Sequence, residues 1–269
     1  LSGTNGQVSN TLVIGAGDSG KAIVCTYTNT RKTTTITLKK AWSTAAVNDT
    51  ASVLLKRGVA TVDTLASTAN TATETDTDGT PFTANVGETL NLSETLGGAN
   101  AGQYTATLAC DNSVTVGGTG DFVVPATATN CTVTNTRQTA TLQIAKAWSG
   151  TSPATDSATI GVTTGGLNNT TSFTTAGGTS ANSGTAVTVA VGNTITFPAE
   201  TGTNIGNYTT VLSCLAGGGA TANALSGTNG QVSNTLVIGA GDSGKAIVCT
   251  YTNTRKSTTF RLAKAWSAN

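Results

Sequence analysis

The sequence has no histidine, no methionine, only four prolines and few charged residues. Without histidine, a Ser-His-Asp relay cannot be built from this chain, so we expect no serine hydrolase. Charged residues make up 10% of the chain and the net charge is +1. Such a balance leaves no electrostatic field that would gather nucleic acid, an acidic substrate or an anionic membrane. We therefore expect no polyanion as a partner.

Aromatic residues and long apolar runs are also scarce. Aromatic residues amount to 4% of the chain, and no stretch approaches the roughly 20 consecutive apolar residues of a membrane helix. We therefore expect no membrane contact by this segment. Thr, Ala, Gly, Ser, Asn and Val dominate instead, and this composition favours short strands and tight turns over helices. The chain is predicted to be all-β.

Internal repetition is the strongest feature that the sequence does have. Residues 1–32 recur without a change as residues 225–256. A shorter motif, Cys-Thr-Tyr/Val-Thr-Asn-Thr-Arg, begins at Cys25, Cys131 and Cys249, and each copy precedes a segment that ends in Lys-Ala-Trp. The spacing of the copies is that of whole domains rather than of solenoid repeats.

The repeats divide the chain into four parts, and its ends are expected to be cuts through a longer protein. Within each repeat, alternating runs such as 103–110, 121–124 and 187–191 indicate about seven strands and hence a β-sandwich. Short joints between repeats predict a semi-rigid rod. The parts are the closing strands of a preceding repeat (1–31), a first complete repeat (32–137), a second complete repeat (138–255) and the first strand of a following repeat (256–269).

Three kinds of polar residue fall on strand faces that are otherwise apolar. Side chains two residues apart share one face of a strand, so Lys40 points the same way as Leu38 and Trp42. The same alternation predicts that an asparagine on the closing strand of each repeat points inward. It also predicts an inward glutamate on a strand that lies between the first and closing strands in the sequence. The candidates are Lys40, Glu94 and Asn135, then Lys146, Glu200 and Asn253, with Asn29 and Lys264 in the incomplete repeats.

A buried lysine of this kind must be paired, neutral or chemically consumed, because an unpaired buried charge costs several kcal/mol. A neutral amine can attack the asparagine amide while a protonated carboxyl polarises it, giving an isopeptide bond and ammonia. The alternative is a buried Lys–Glu ion pair capped by the asparagine. In a third reading the strand register is off by one and Lys40 extends to solvent.

The order of these residues along the chain resembles a known family, the CnaB- or SpaA-type domains of bacterial surface adhesins and pilins. The resemblance implies tandem Ig-like, prealbumin-like β-sandwich domains that form a stalk, with a Lys–Asn isopeptide bond in each. The Pro-Ala insertion before Glu200 departs from the first repeat and requires a bulge there. The motifs are Lys40, E-T-L-G-G-A-N-A-G-Q-Y from Glu94, and Asn135; then Lys146, E-T-G-T-N-I-G-N-Y from Glu200, and Asn253.

The five cysteines follow the same repeat. We expect disulfides between Cys110 and Cys131 and between Cys214 and Cys249, with the partner of Cys25 lying before residue 1. Metal ligation is the competing reading, but it fails without histidine and without C-x-x-C pairs, so we expect no metal and no cofactor. Disulfides indicate an oxidising compartment and therefore export.

Three motifs in the sequence are weak. Gly15, Gly17 and Gly20 have the spacing of a dinucleotide-binding turn, and residues 17–20 read Gly-Asp-Ser-Gly, as around a protease nucleophile. A β-rich segment rather than a helix follows, so a hairpin loop is the better interpretation. Asp76 and Asp78 begin like a calcium loop, but no glutamate closes it.

These observations predict a structural function. We expect a non-enzymatic stalk or filament segment of an extracellular, cell-surface protein, whose only chemistry is one intramolecular cross-link per repeat. Its partners would be neighbouring repeats and, in a fibre, identical subunits. The alternative is a glycan- or surface-binding module that uses exposed Thr and Asn faces or a long loop over residues 63–83.

Overall fold

The computed structural model describes residues 12–164, 170–182, 186–216, 225–228 and 234–267. Within these residues the chain is all-β, as predicted, with nineteen strands and three single-turn 3-10 helices at Ala16–Asp18, Ile205–Asn207 and Ala240–Asp242. In the same residues there is no helix with the length and apolar character needed to cross a membrane.

The first repeat contains nine strands in two sheets. One sheet has the order β4-β1-β9-β7, with β5 also paired to β1, and the other has the order β3-β2-β6-β8. Apolar side chains of both sheets meet in one core, which includes Leu38, Val53, Leu92 and Val133. The strands are β1 Thr33–Ser43, β2 Thr50–Arg57, β3 Ala60–Thr68, β4 Thr73–Thr77, β5 Phe82–Asn85, β6 Thr89–Leu96, β7 Tyr104–Cys110, β8 Asp121–Val123 and β9 Thr129–Arg137.

The second repeat has the same plan. Its sheets have the orders β13-β10-β19-β16-β17, with β14 also paired to β10, and β12-β11-β15-β18. Its core includes Leu142, Ile160, Phe197 and Leu212. The strands are β10 Thr139–Ser149, β11 Ser157–Thr164, β12 Thr170–Ala176, β13 Ala181–Asn182, β14 Val187–Ala190, β15 Thr194–Phe197, β16 Tyr208–Ala216, β17 Leu225–Thr228, β18 Asn234–Val237 and β19 Ala246–Arg255.

In each repeat the first and last strands lie side by side and run parallel. Trp42 on β1 is opposite Asn135 on β9, and Trp148 on β10 is opposite Asn253 on β19. Parallel strands start at the same end of a sheet. The chain therefore enters each repeat at one end and leaves it at the other.

The junction between the two repeats is short and hydrogen-bonded. Arg137 ends β9, and its Nε donates to the carbonyl of Val191 at 2.9 Å while its Nη2 donates to Gln103 Oε1 at 3.1 Å. The amide of Val191 donates to the carbonyl of Gln138 at 2.9 Å. Gly192 has φ +90°, and a Cβ there would lie 2.3 Å from Gln103 Oε1. The joint thus requires glycine at this position.

The same contacts occur where the chain enters the first repeat. Arg31 Nη2 lies 3.5 Å from the carbonyl of Val86, and the amide of Val86 donates to the carbonyl of Lys32 at 2.9 Å. Arg31 and Arg137 are the final residues of the repeated Thr-Asn-Thr-Arg motif. One local pattern therefore recurs at the start of both complete repeats.

The strand pattern differs from the sequence expectation in two respects. The first repeat has nine strands rather than about seven, because short edge strands such as β4 and β5 pair with β1. The expectation of a long loop over residues 63–83 is wrong, because β3, β4 and the start of β5 lie in this range. Its Thr-rich sequence alternates like a strand, and exposed edge strands carry no apolar run that would reveal them.

Residues 12–31 and 256–267 contain no strand in the structure. Their assignment to a preceding and a following repeat stays a prediction. A β-strand is stable only when neighbouring strands satisfy its backbone groups, and these two segments were expected to find those neighbours in other repeats.

Two disulfides join the closing strands. Cys110 on β7 is bonded to Cys131 on β9, and Cys214 on β16 is bonded to Cys249 on β19, each as a directly opposed pair. Cys25 is exposed and free among the described residues. The bridges close loops of 21 and 35 residues, which constrain the unfolded chain.

Removal of one bridge should destabilise the repeat that contains it. We expect the Cys110→Ala, Cys131→Ala chain to lose about 3 kcal/mol of unfolding free energy in the first repeat, because the unfolded loop regains its freedom. Urea unfolding of oxidised protein measures this. The Cys25→Ala chain is the control, and equal midpoints for the double variant and the parent would contradict the prediction.

Candidate functional site

A lysine amine lies inside the core of each repeat. The inward face of β1 carries Ile36, Leu38, Lys40 and Trp42, all buried, and Lys40 is 0% exposed. Lys146 has the same position on β10 and is 1% exposed. The prediction that these lysine side chains point into the core is therefore confirmed. The alternative in which Lys40 extends to solvent is wrong.

In the first repeat the lysine, glutamate and asparagine meet at one carboxyl oxygen. Glu94 Oε1 lies 3.4 Å from Lys40 Nζ and accepts a 2.9 Å hydrogen bond from Asn135 Nδ2. Glu94 belongs to β6 in the opposite sheet, whereas Lys40 and Asn135 lie on the adjacent strands β1 and β9. The carboxyl therefore spans the core from one sheet to the other.

Other contacts of this first site restrict the amine further. Lys40 Nζ donates to the carbonyl of Ala41 at 2.9 Å and lies 4.0 Å from the centre of the Trp42 ring. The side chain of Glu94 is 7% exposed and Asn135 is 0% exposed. Asn135 Oδ1 has no hydrogen-bond partner among the described residues, so its carbonyl is not committed to another donor.

The second repeat assembles the same three groups by a different route. Lys146 Nζ lies 3.0 Å from Glu200 Oε1, and both side chains are 0% exposed. Glu200 follows the end of β15 at Phe197, after the inserted Pro198 and Ala199. Tyr251 Oη donates to the carbonyl of Pro198 at 3.1 Å and holds this insertion against β19. No bulge within a strand is needed, because residues 198–200 lie after the end of β15 and a non-strand segment carries Glu200 to the lysine.

Two residues of the second site were not identified from the sequence. Tyr251 is one, and Thr210 is the other, with contacts to both Glu200 and Asn253. A signal for Thr210 existed, because alternation on β16 puts it on the face of Tyr208 and Leu212, both buried. A threonine in a Thr-rich strand gave no reason to single it out.

Burial alters the protonation of both lysines. Removal of the amine from water lowers the pKa of Lys40 and of Lys146 below the ordinary value of 10.5, although Glu94 and Glu200 oppose the shift. Burial also raises the pKa of Tyr251, with a smaller contribution from Glu200. Burial therefore shifts each lysine towards the neutral amine, the form that can act as a nucleophile.

A tyrosine supports each site from β7 or β16. The ring of Tyr104 meets Trp42 edge-on at 5.4 Å between centres, and its hydroxyl donates to Asp49. Burial, followed by this hydrogen bond to Asp49, raises the pKa of Tyr104 to about 12. Tyr208 repeats the arrangement, at 5.0 Å from Trp148 and with a 2.6 Å hydrogen bond to Asp156. These contacts hold β7 and β16 in place, and those strands pair with β9 and β19, which carry the asparagines.

The candidates in the incomplete repeats are not brought together with partners. Asn29 and Lys264 are exposed, and Lys264 Nζ lies over the Trp266 ring, 3.6 Å from its centre. Asp76 and Asp78, which begin like a calcium loop, have different partners: Asp76 accepts from Ser67, and Asp78 accepts from Thr80 in its own turn. Among the described residues there is no group of three or more side chains suited to a metal ion.

Comparison with known families agrees with this architecture. Residues 141–255 match the SpaA-type family model, described as a prealbumin-like fold domain. The second repeat is therefore similar to a SpaA-type domain. The matched range begins in β10 and ends with β19, so it includes Lys146, Glu200 and Asn253. The resemblance inferred from the order of these residues is confirmed there.

Solved structures similar to the chain include pilins and an adhesin. The major pilin of Streptococcus pyogenes is 15% identical, with coverage of 85% of this chain and 99% of the pilin and a TM-score of 0.39. The T-13 major pilin of the same species is 16% identical, with coverage of 84% and 97% and a TM-score of 0.40. A Mobiluncus mulieris adhesin that contains intramolecular disulfide, isopeptide and ester cross-links is 12% identical, with coverage of 79% and 87% and a TM-score of 0.33. A search of the curated proteins gives no match.

The lowered lysine pKa predicts a pH dependence in a chain that cannot cross-link. In the Asn135→Ala, Asn253→Ala variant, the folded state releases lysine protons at a lower pH than the unfolded state does. The lysine contribution to the unfolding free energy should therefore rise as the pH increases from neutral towards the ordinary lysine pKa of 10.5. Urea unfolding across this range measures the slope.

The matched control for this pH series also carries Lys40→Met and Lys146→Met. Its curve should lack the lysine contribution, so the difference between the two curves isolates the amines from tyrosine titration. Identical slopes in the two variants would show that the buried lysines keep their ordinary protonation.

Proposed function

We propose that this chain is a segment of a bacterial extracellular stalk or filament, in which each complete repeat ties its first strand to its last by a Lys–Asn isopeptide bond. The observation that supports this most directly is the burial of Lys40, Glu94 and Asn135 around one carboxyl oxygen. The second repeat has the same set in Lys146, Glu200 and Asn253. The bonds would join Lys40 to Asn135 and Lys146 to Asn253.

The chemistry needs no cofactor. The neutral amine of Lys40 attacks the amide carbon of Asn135, and a C–N bond forms while the oxygen takes up negative charge. A protonated Glu94 carboxyl supplies a proton to the amide group, and the carboxylate takes one from the lysine nitrogen. The lysine proton thus restores the carboxyl, and the tetrahedral intermediate collapses as the protonated amide nitrogen leaves as ammonia. Each repeat reacts once, so this is self-modification rather than turnover.

The mechanical consequence follows from the parallel pairing of first and last strands. Tension that enters β1 at Thr33 and leaves β9 at Arg137 would pass through the bond between Lys40 and Asn135. The residues between those two would carry no load. Without the bond, the same tension would shear the hydrogen bonds between β1 and β9. A covalent bond at this point is therefore suited to an element under tension.

The junction supports a semi-rigid rod of tandem domains. Arg137, Val191 and Gly192 make direct contacts across it, and the chain between β9 and β10 is a single residue, Gln138. Entry and exit at opposite ends of each repeat support an end-to-end arrangement of successive repeats. We propose the boundaries 32–137 and 138–255 for the complete repeats, with neighbouring repeats, and identical subunits in a fibre, as the partners.

Intact mass is the test of the cross-links. We expect the denatured, reduced chain to be lighter than its sequence by two molecules of ammonia, because each of two repeats releases one. Glu94→Gln should abolish only the first deficit and Glu200→Gln only the second, since each carboxyl serves its own lysine. Peptide mapping should locate Lys40–Asn135 and Lys146–Asn253.

Each single variant in this mass experiment is the matched control for the other repeat. The double variant should have the plain mass. If the reduced parent chain already has the plain mass, the isopeptide proposal is wrong, and the buried Lys–Glu ion pair describes the sites.

Loss of the junction contacts should loosen the rod. In Arg137→Ala, the hydrogen bonds to Val191 and Gln103 disappear, so we expect a wider range of angles between the repeats and a smaller average maximum dimension. Small-angle X-ray scattering measures this. Arg255→Ala is the control, because Arg255 ends the same motif but is exposed. Equal scattering curves for all three chains would argue against a stiff joint.

A further inference from the structure

Thr210 occupies the centre of the second site. It lies on β16 directly opposite Asn253 on β19 and is 3% exposed. Its Oγ1 is 2.9 Å from Glu200 Oε2 and 2.5 Å from Asn253 Oδ1. Glu200 uses its other oxygen, Oε1, for Lys146. The hydroxyl therefore connects the carboxyl to the amide that the lysine would attack.

The row of oxygen atoms through Thr210 is compatible with a protonated Glu200 carboxyl. Three oxygen atoms, Glu200 Oε2, Thr210 Oγ1 and Asn253 Oδ1, make two short contacts, but the threonine hydroxyl has only one hydrogen to donate. If it donates to the amide oxygen, the second hydrogen must come from the carboxyl, as O–H of Glu200 donating to Oγ1. The contacts thus fit the protonated carboxyl that the cross-linking reaction requires.

We propose that Thr210 is a catalytic residue of the second repeat, which passes a proton from Glu200 Oε2 to Asn253 Oδ1 while Lys146 attacks. This proposal rests on the proposed isopeptide function and adds to it a residue outside the Lys, Glu and Asn set. It is specific to the second repeat.

The proton transfers balance through the step. Lys146 Nζ forms a bond to the amide carbon of Asn253, and the C=O π bond opens onto Oδ1. Oδ1 takes the hydroxyl proton of Thr210, and Thr210 takes the proton of Glu200 Oε2. Glu200 Oε1 accepts a proton from Lys146 Nζ and later delivers it to the departing nitrogen. When the C=O bond re-forms, the proton on Oδ1 returns through Thr210 to Glu200, and ammonia is released.

The first repeat differs from the second at this position. Ala106 stands at the equivalent position of β7, opposite Asn135, and there Glu94 contacts the asparagine directly at 2.9 Å. Ala106 is exposed, whereas Thr210 is 3% exposed. In the second repeat the hydroxyl of Thr210 contacts both the carboxyl and the amide.

The two glutamates lie at different places in their repeats, and this difference explains the additional hydroxyl of Thr210. Glu94 lies on a strand, whereas Glu200 follows the Pro198-Ala199 insertion, which Tyr251 holds through its hydroxyl. Val133 takes the place of Tyr251 in the first repeat. With the insertion held in this way, Glu200 Oε1 meets the lysine while Oε2 is bridged to the amide oxygen by Thr210. The threonine is therefore found in the repeat whose glutamate follows an insertion.

The test is the rate of cross-linking in the complete chain with Thr210→Val, which keeps the shape and removes the hydroxyl. Chain unfolded in urea as soon as it is synthesised is diluted into a glutathione redox buffer, and intact mass is followed with time. We expect the ammonia loss of the second repeat to slow by about 100-fold, the effect of removing one preorganised donor to a developing oxyanion. Thr210→Ser, which restores a hydroxyl, should react within about tenfold of the parent.

The first repeat is an internal control in every sample, since its Lys40–Asn135 link should form at the parent rate. Formation of the Cys214–Cys249 disulfide shows that the second repeat has folded. Should Thr210→Val fail to fold, Thr210→Ala replaces it, because the first repeat accepts alanine at this position.

Each outcome is decisive. Parent-like rates in both Thr210→Val and Thr210→Ala would overturn the relay and leave the cross-link intact. Equal slowing in the serine and valine variants would assign Thr210 a packing role and also overturn it. A link mapped to Thr210 rather than Lys146 would identify the hydroxyl as a nucleophile, against the proposal. If the parent chain itself loses no ammonia, the proposed cross-linking function fails together with the relay.

Discussion

The burial of one lysine amine in each repeat is the constraint on which the rest of the structure depends. Lys40 and Lys146 lie on the first strands, where apolar neighbours exclude water. Because an isolated buried charge is so costly, a carboxyl must reach the amine from the opposite sheet. Both repeats meet this requirement, one from strand β6 and the other from the non-strand segment after β15. The glutamate thereby links the two layers of the sandwich at the point where the first and last strands meet.

The parallel pairing of the first and last strands determines both the position of the asparagine and the direction of the chain. It brings a lysine near the start of a repeat beside an asparagine near its end, and it sends the chain out at the far end of the sandwich. Arg137, two residues after Asn135, then contacts the second repeat, and Arg31, two residues after Asn29, contacts the first. The short Thr-Asn-Thr-Arg motif therefore contains both the asparagine of the buried site and the arginine of the junction.

Sequence patterns predicted the parts of this arrangement that depend on alternation. The inward facing of Lys40 and Asn135 followed from a two-residue period, which holds wherever one strand face is buried. Thr210 and Tyr251 could not be identified in that way, because their importance comes from the position of Glu200 after an insertion. The edge strands β4 and β5 were also missed. Edge pairing depends on backbone hydrogen bonds, which leave no mark in side-chain polarity.

The chain contains its own comparison of sequence with tertiary structure, because residues 12–32 and 236–256 are identical. The 3-10 turn forms in both copies, at Ala16–Asp18 and Ala240–Asp242, with the same aspartate accepting from the glycine three residues before it. The following segment is a strand only in the second copy, where Tyr251 is 1% exposed, whereas Tyr27 is 90% exposed. A turn closes through groups three residues apart, so the local sequence determines it. A strand satisfies its backbone through other strands, so only the presence of β10 and β16 decided that the same residues become β19.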